Sequence, residues 1–241
     1  MSTAAILVIG NEILSAKVRD ENGPWLAREL RALGVELRRI ETVPDEIEVI
    51  ADALRRCKAS ATWVFTSGGV GPTHDDVTIH AIAHALGRRV VRDPGLERGI
   101  RAHYGERTNP ENLRMADLPE GAVLLAPTST SFPIPVVEDV YILPGVPEFF
   151  RAKFTALRET FRQAPILLRS VYVSVGEGAI AHALDETAAA FPKLALGSYP
   201  KFDDSPYRVK LTLESKDAAL VAEAERFLLA RLPRDCVIRT E

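Results

Sequence analysis

Hydrophobic and polar residues follow two alternating patterns along the first two-thirds of the chain. Short apolar runs, which predict buried strands, are separated by stretches with an apolar position every three or four residues, which predict amphipathic helices. The predicted strands lie at residues 4–9, 35–42 and 62–66, and the predicted helices at 25–33, 47–57 and 77–86. This regular alternation predicts an α/β fold with a parallel sheet and right-handed crossovers.

Residues that start and stop helices support these boundaries. Pro24 stands in the first turn of the first helix, and Gly34 lies just past its end. Asp45, followed by Glu48 three residues later, resembles a capping box, so we expect Asp45 to cap the next helix. Further along, the pattern predicts short helices and loops at 93–119, strands at 123–125 and 140–143, and a helix at 146–161.

The order of elements changes near residue 164. From there the chain reads as strand 166–175, helix 179–190, strands 194–199 and 207–214, helix 217–232 and strand 236–239. This is the βαββαβ order of a small split-βαβ domain. We therefore expect two domains, 1–164 and 165–241. The second has no Gly-rich loop and no clustered carboxylates at strand ends, so we expect the chemistry in the first.

Composition narrows the class of protein. The 241 residues include 30 Lys and Arg against 33 Asp and Glu, a net charge of −3, which argues against a nucleic-acid-binding surface. Cys57 and Cys236 form no disulfide or zinc pattern. No apolar run approaches the roughly 18 residues of a membrane span, and no secretory signal is visible at the start. We expect a cytoplasmic protein that binds no membrane.

The most informative motif, SGGVGPTHDDVT, runs from Ser67 to Thr78 and joins a predicted strand to a predicted helix. Because Gly68, Gly69 and Gly71 lack Cβ atoms, their backbone amides can turn toward a ligand. The helix start adds unpaired N–H groups, which suit phosphate or pyrophosphate. The residues alone also permit a tight turn in which an Asp caps the helix, and the motif is neither a P-loop nor GxGxxG.

Two adjacent carboxylates, Asp75 and Asp76, lie in this motif. Beside a phosphate they would repel the ligand unless a cation lay between them. A divalent metal resolves the conflict, because carboxylate and phosphate oxygens are both hard ligands. The alternative is that one Asp caps the helix and the other is solvated. His80 and His84 share a helix face at a spacing that metal ligands use, but no third ligand has a diagnostic spacing.

Polar residues also follow the first strand and a later one. Gly10 ends the first strand and leads to Glu12, with Asp20 and Asn22 following, and LPGVPE at 143–148 forms another strand–turn–helix start. Ligands of open α/β sheets bind beyond the carboxyl ends of strands. We therefore expect Glu12, Asp20 and Asn22 to face the glycine turn, although a turn or cap role is open for each.

These motifs together resemble the molybdopterin-binding-like domain of the MoaB/Mog and CinA superfamily. The matching stretches are 10–14, 20–22, 67–78 and 143–148, and the resemblance covers roughly residues 4–162. The run Gly-Gly-x-Gly-Pro-Thr-x-Asp-Asp-x-Thr is the most specific and points to the CinA-type branch. The resemblance implies an α/β, parallel-sheet sandwich of the molybdopterin-binding (MoaB/Mog-like) type, with a small βαββαβ second domain as in CinA-like proteins.

The resemblance also implies an activity, a metal-dependent pyrophosphatase acting on ADP-ribose-like or FAD-like nucleotides. Residues 132–145 look closer to the FAD-hydrolysing half of eukaryotic FAD synthase. Asp76, Asp75 and Glu12 are the implied catalytic residues and ligands of a divalent Mg, Mn or Co ion. The implied substrate-binding residues are Ser67, Gly68, Gly69, Gly71, Thr73, Thr78, Asn22 and Gly145. The implied partner is a small-molecule nucleotide, and the family suggests a homo-oligomer, with a dimer favoured.

Two positions depart from the family pattern. His80 stands where an acidic residue is common, and TSTS at 128–131 stands where CinA proteins carry an Asn-Pro and glycine-containing loop. Molybdopterin adenylylation and a non-catalytic molybdopterin- or nucleotide-binding module are the rival functions. CinA proteins continue into a nicotinamide-mononucleotide deamidase domain, which this sequence lacks, so we expect no deamidase activity.

Overall fold

A six-stranded sheet and a four-stranded sheet carry the two parts of the chain. The computed structural model describes residues 2–125, 132–203 and 205–241. The chain divides into two compact units, Met1–Gln163 and Ala164–Glu241. The departure from the family pattern at 128–131 and the acidic residue Asp204 lie outside the described residues.

The first unit is built on a mostly parallel sheet. Its strands are β1 (Thr3–Ile9), β2 (Glu36–Val43), β3 (Trp63–Ser67), β4 (Val90–Arg92), β5 (Asp117–Pro119), β6 (Val123–Leu125), β7 (Ile134–Val137) and β8 (Val140–Leu143). Its helices are α1 (Asn11–Leu14), α2 (Asn22–Ala32), α3 (Ile47–Ser60), α4 (Thr78–Ala85), α5 (Pro94–Tyr104), α6 (Pro110–Arg114) and α7 (Pro147–Leu157). The main sheet has the order β2-β1-β3-β8-β7-β6. The strands β2, β1, β3 and β8 run parallel, which confirms the predicted fold class.

Helices cover both faces of this sheet, which explains why β1 is apolar from Ala4 to Ile9. Leu7 and Ile9 pack into the same core cluster as Ile50 and Leu54 of α3. Ile6 and Val8 face the other side, where Leu26 of α2 and Phe150 of α7 contribute to a second cluster. Burying each large side chain stabilises the fold by about 1.5–3 kcal/mol. A strand buried on both faces reads as a continuous hydrophobic run, as β1 does.

Two features of this unit differ from the sequence predictions. Strand β7 is antiparallel to both of its neighbours and was not predicted, because Pro133 and Pro135 argue against a strand. Pro135 pairs only with β6, since the register with β8 begins at Val136. The polar region 93–119 does contain short helices, but β4 and β5 also form a two-stranded antiparallel sheet at its ends.

The predicted capping box at the start of α3 is wrong. The cap position of α3 is Glu46, and no side chain caps the helix. The carboxylate of Asp45 instead accepts the backbone N–H of Asn11 at 2.7 Å. The carboxylate oxygen that the local pattern assigned to the start of α3 thus bonds instead to Asn11, which lies 34 positions away in sequence.

The second unit has the predicted βαββαβ order. Its elements are β9 (Leu167–Val173), α8 (Glu177–Ala190), β10 (Ala195–Pro200), β11 (Val209–Ser215), α9 (Ala218–Leu229) and β12 (Val237–Thr240). The strands pair antiparallel in the order β10-β11-β9-β12. Val171 and Leu211 pack with Ile180 of α8 and Leu228 of α9 in a core of their own. None of the helices described in either unit is long and apolar enough to span a bilayer.

Candidate functional site

Three turns meet at one edge of the parallel sheet, where β1, β3 and β8 end. A Cβ atom on Gly68 would lie 2.2 Å from the carbonyl oxygen of Ile9, and one on Gly145 would lie 3.3 Å from the Cα of Gly68. The N–H of Gly68 donates to the carbonyl of Leu143 at 3.2 Å. The turns therefore pack backbone against backbone, and at Gly68 the distance is too short for any residue with a Cβ atom.

Asn22 joins two of these turns from the start of α2. Its side chain is buried, and Nδ2 donates to Ser67 Oγ at 2.9 Å and to the carbonyl of Gly145 at 2.8 Å. Its Oδ1 atom accepts no hydrogen bond from the described residues. Asp20 accepts the N–H groups of Asn22 and Gly23, each at 3.0 Å. The cap position of α2 is Glu21, so Asp20, one residue earlier, binds the first N–H groups of the helix from the preceding turn, and this is the turn or cap role that the sequence left open.

The glycine turn after β3 has backbone angles that favour glycine. Gly68 and Gly69 have φ values of +105° and +66°. The buried Thr78 fastens the turn, because its Oγ1 donates to the carbonyl of Gly68 at 2.9 Å and its N–H donates to Gly69 at 3.1 Å. Within the described residues, no acceptor pairs with the N–H groups of Gly69, Val70 or Gly71. These amides, rather than that of Gly68, are free to bind an anion.

Asp75 and Asp76 converge on one hydroxyl group. Thr73 Oγ1 lies 2.6 Å from Asp75 Oδ1 and 2.5 Å from Asp76 Oδ2, and the N–H of Thr73 donates to Asp76 Oδ2 at 2.8 Å. A hydroxyl has a single proton to donate, so it satisfies only one of the two carboxylates. The hydrogen bond from Thr73 lowers the pKa of Asp75, which keeps that carboxylate ionised. Neither Asp caps α4, whose cap position is Val77 and carries no side-chain cap.

A cleft beside Asp75 contains the third predicted carboxylate, Glu12. The cleft has a volume of about 570 Å³ and is lined by Asn11, Glu12, Leu14, Ser15, Lys17 and Asp75. Because Asp45 holds the N–H of Asn11, the loop after β2 fixes the start of α1 and so the position of Glu12. The sequence does not reveal this role of Asp45, since no local pattern marks a contact between two loops.

The acidic residues suit a metal ion that is held jointly by protein carboxylates and a bound phosphate, rather than one held by protein ligands alone. In the described part of the chain, no three His, Cys, Asp or Glu side chains lie close enough together to hold a metal ion, so Asp75, Asp76 and Glu12 do not form a set of three ligands. Mg²⁺ in proteins is commonly held by one or two carboxylates together with substrate phosphates. The paired carboxylates on Thr73 suit this arrangement. His84 instead lies 3.1 Å from Glu48.

Comparisons with protein families match each unit to a different domain. Residues 5–163 match the family described as probable molybdopterin binding domain. Residues 165–241 match the FAD synthase middle domain.

Individual relatives agree with these matches. The probable FAD synthase of Caenorhabditis briggsae is 31% identical over 95% of this chain, and a CinA-like protein of Thermomicrobium roseum is 34% identical over 95%. The chain spans only 49% and 60% of those two relatives. The crystal structure of the protein CinA, of unknown function, from Thermoplasma acidophilum is 30% identical with a TM-score of 0.61, over 66% of this chain and 98% of that one. The protein therefore belongs to the probable molybdopterin binding domain family, with a FAD synthase middle domain after that domain.

Proposed function

We propose that the protein hydrolyses the pyrophosphate bond of a nucleotide such as FAD or ADP-ribose, with the help of a divalent metal ion. The observation that carries the proposal is the pair of carboxylates on the Thr73 hydroxyl, directly after a glycine turn with free backbone amides. Relatives named probable FAD synthase that match 90% or more of this chain support a nucleotide substrate.

The glycine turn would hold the pyrophosphate. The free N–H groups of Gly69, Val70 and Gly71 would donate to phosphate oxygens, which needs no side-chain movement because Thr78 already fixes the turn. Asn22 would act indirectly, because it fixes Ser67 and Gly145 on either side of the turn. Such positioning supplies much of the rate enhancement when the reaction requires an aligned water and charge neutralisation.

The carboxylates would divide the remaining work. Asp75 and Asp76 would hold the divalent ion, Mg, Mn or Co, which neutralises phosphate charge and polarises the phosphoryl group. Glu12 lines the same cleft as Asp75 and would orient the attacking water and accept its proton. The water oxygen bonds to one phosphorus while the bond from that phosphorus to the bridging oxygen breaks. The products are two phosphomonoesters, AMP and FMN from FAD, or AMP and ribose 5-phosphate from ADP-ribose.

Incubation of the protein with three substrate sets tests the proposal. FAD, ADP-ribose, and ATP together with molybdopterin are each offered with Mg²⁺, Mn²⁺ or Co²⁺ and with a chelator instead. Metal-dependent release of AMP from FAD or ADP-ribose supports the hydrolase. Adenylylated molybdopterin as the sole product would assign the protein to adenylyl transfer, and tight binding without turnover would make it a binding module. A homodimer, also proposed from the family resemblance, is tested separately by light scattering.

A further inference from the structure

A single basic side chain lines the cleft that contains Glu12 and Asp75. Lys17 is exposed, and it is the one cation among the six residues of the lining. Although two carboxylates line the same cleft, Lys17 forms no ion pair and no hydrogen bond with any described residue. Its ammonium group is therefore available to a ligand in the cleft.

The backbone places Lys17 at this cleft through an unusual turn. Helix α1 ends at Leu14, and Ala16 after it has a φ of +56°, a conformation that residues with a Cβ rarely adopt. The N–H of Ala16 donates to the carbonyl of Ile13, and the N–H of Val18 donates to that of Glu12, both at 3.1 Å. The chain thus folds back on α1, and the two bonds hold Lys17 next to the turn that carries Glu12.

We infer that Lys17 forms a phosphate-binding subsite in this cleft and binds one phosphoryl group of a diphosphate ligand. The inference deepens the proposed function and rests on it for the choice of a nucleotide diphosphate. An ammonium group offers three donors and a concentrated charge, which suit a phosphate. The carboxylates Asp75 and Asp76 would meet the other phosphoryl group through the shared cation. The cleft volume of about 570 Å³ lies within the usual range of small-molecule sites.

The separation of charges in the cleft favours this role over a structural one. A lysine that served to neutralise the acidic residues would form an ion pair with Glu12 or Asp75, and neither pair is present. A diphosphate has a second phosphoryl group besides the one that a metal ion on the carboxylates would meet, and the unpaired Lys17 in the same cleft can bind it. The remaining alternative, a solvated lysine that binds nothing, is an outcome of the test below.

The test measures binding without metal, so that it does not depend on catalysis. Affinities for ADP-ribose and inorganic pyrophosphate are measured by calorimetry, in chelator, for the parent, Lys17→Gln, Lys17→Arg and Lys58→Gln. Lys58 is the matched control, because it pairs with Glu138 in the turn between β7 and β8, and β8 starts at the sheet edge opposite the site. Loss of one charge-assisted hydrogen bond predicts that Lys17→Gln weakens both ligands by about tenfold or more. Lys17→Arg keeps most of the affinity, and Lys58→Gln keeps all of it.

Three results would overturn the inference. These are equal affinities of the parent and Lys17→Gln, an equal loss in Lys58→Gln, and no binding of either ligand by the parent. The outcome separates this inference from the proposed function. A parent that binds ADP-ribose through Lys17 but releases no AMP with metal rejects the hydrolase and keeps the subsite. Metal-dependent AMP release with the same KM in Lys17→Gln rejects the subsite and keeps the hydrolase.

Discussion

The two units differ in what their buried polar side chains bond to. Among the described residues, the buried polar side chains of the first unit are Asn22, Thr66, Ser67 and Thr78, and those of the second unit are Ser170, Thr187 and Thr212. Asn22 bonds to two turns far away in sequence, on Ser67 and Gly145. Thr187 donates to the carbonyl of Ala183 one turn earlier in its own helix. In the first unit Asn22 joins two loops, whereas Thr187 in the second unit bonds within its own helix.

Sheet topology explains this difference. The parallel strands β1, β3 and β8 all end at one edge, so their turns must meet there. The antiparallel strands of the second unit end at alternate edges. Among the described residues, the exposed Asp203 of this unit has only local partners, which are the N–H and hydroxyl of Ser205 and an ion pair with Lys201. Neighbouring acidic residues thus occur in both units, but the parallel sheet places one pair beside a glycine turn. The comparison supports our proposal that the chemistry takes place in the first unit.

Replacing one aspartate in each unit by asparagine is the strongest test of the difference between the two units. Asp76→Asn removes a charged ligand that a hard cation prefers, so metal-dependent hydrolysis should fall by about 1,000-fold, or about 4 kcal/mol in transition-state free energy. Asp203→Asn, the control in the second unit, should leave kcat/KM unchanged. Turnover by Asp76→Asn equal to that of the parent at saturating metal would remove Asp76 from the site.

Adding one methyl group tests the packing of the turns. Gly68→Ala places a Cβ 2.2 Å from the carbonyl oxygen of Ile9 at a φ of +105°, so strain and overpacking together should cost about 2–5 kcal/mol of unfolding free energy. Gly87 also has a positive φ, +63°, but a Cβ there meets nothing within 4 Å. Gly87→Ala should therefore cost only about 1–2 kcal/mol in the same urea titration. Equal costs for both variants would show that the turns are not in close contact.

The sequence predicted this edge of the sheet well because its signals are local. An apolar run marks β1 and β3, and three glycines with an acidic pair mark the turn after β3. It could not predict that Asp45 binds the N–H of Asn11, since capping patterns describe only neighbours in sequence. It also could not show that the N–H of Gly68 is already used by Leu143, because that bond depends on how β8 lies beside β3.

Two substitutions compare a buried side chain that joins distant turns, Asn22, with one that bonds within its own helix, Thr187. Asn22→Ala leaves Ser67 Oγ without its donor and frees the turn at Gly145, so it should cost about 1–3 kcal/mol of stability and raise KM for the nucleotide. Thr187→Val removes only a side-chain bond within α8 and should cost less than about 1 kcal/mol. Chemical denaturation and steady-state kinetics measure both. An Asn22→Ala protein as stable and active as the parent would contradict the joining role.

The smallest expected effect concerns the ionisation of Asp75. The hydrogen bond from Thr73 lowers the pKa of Asp75 in the folded state, so its contribution to stability is present above the unfolded pKa and is lost as the pH falls through the folded pKa. Thr73→Val should move the pKa of Asp75 back up toward the ordinary value. Titration of the Asp75 carboxyl carbon by NMR measures the change, and an unaltered pKa in Thr73→Val would show that Thr73 does not stabilise the carboxylate. Because Asp75 is half-exposed, the change in stability should be small.

Cleavage of nucleotides in ¹⁸O-labelled water tests the central claim most directly. The protein is incubated with FAD and ADP-ribose and with Mn²⁺ in this water, and the masses of the products are measured by mass spectrometry. A sample that contains a chelator instead of Mn²⁺ is the control. Pyrophosphate hydrolysis in the first unit predicts AMP and its partner phosphomonoester in equal amounts, with one ¹⁸O atom shared between each pair of products, and no products in chelator. Intact FAD and ADP-ribose after prolonged incubation with folded, nucleotide-bound protein would contradict the account.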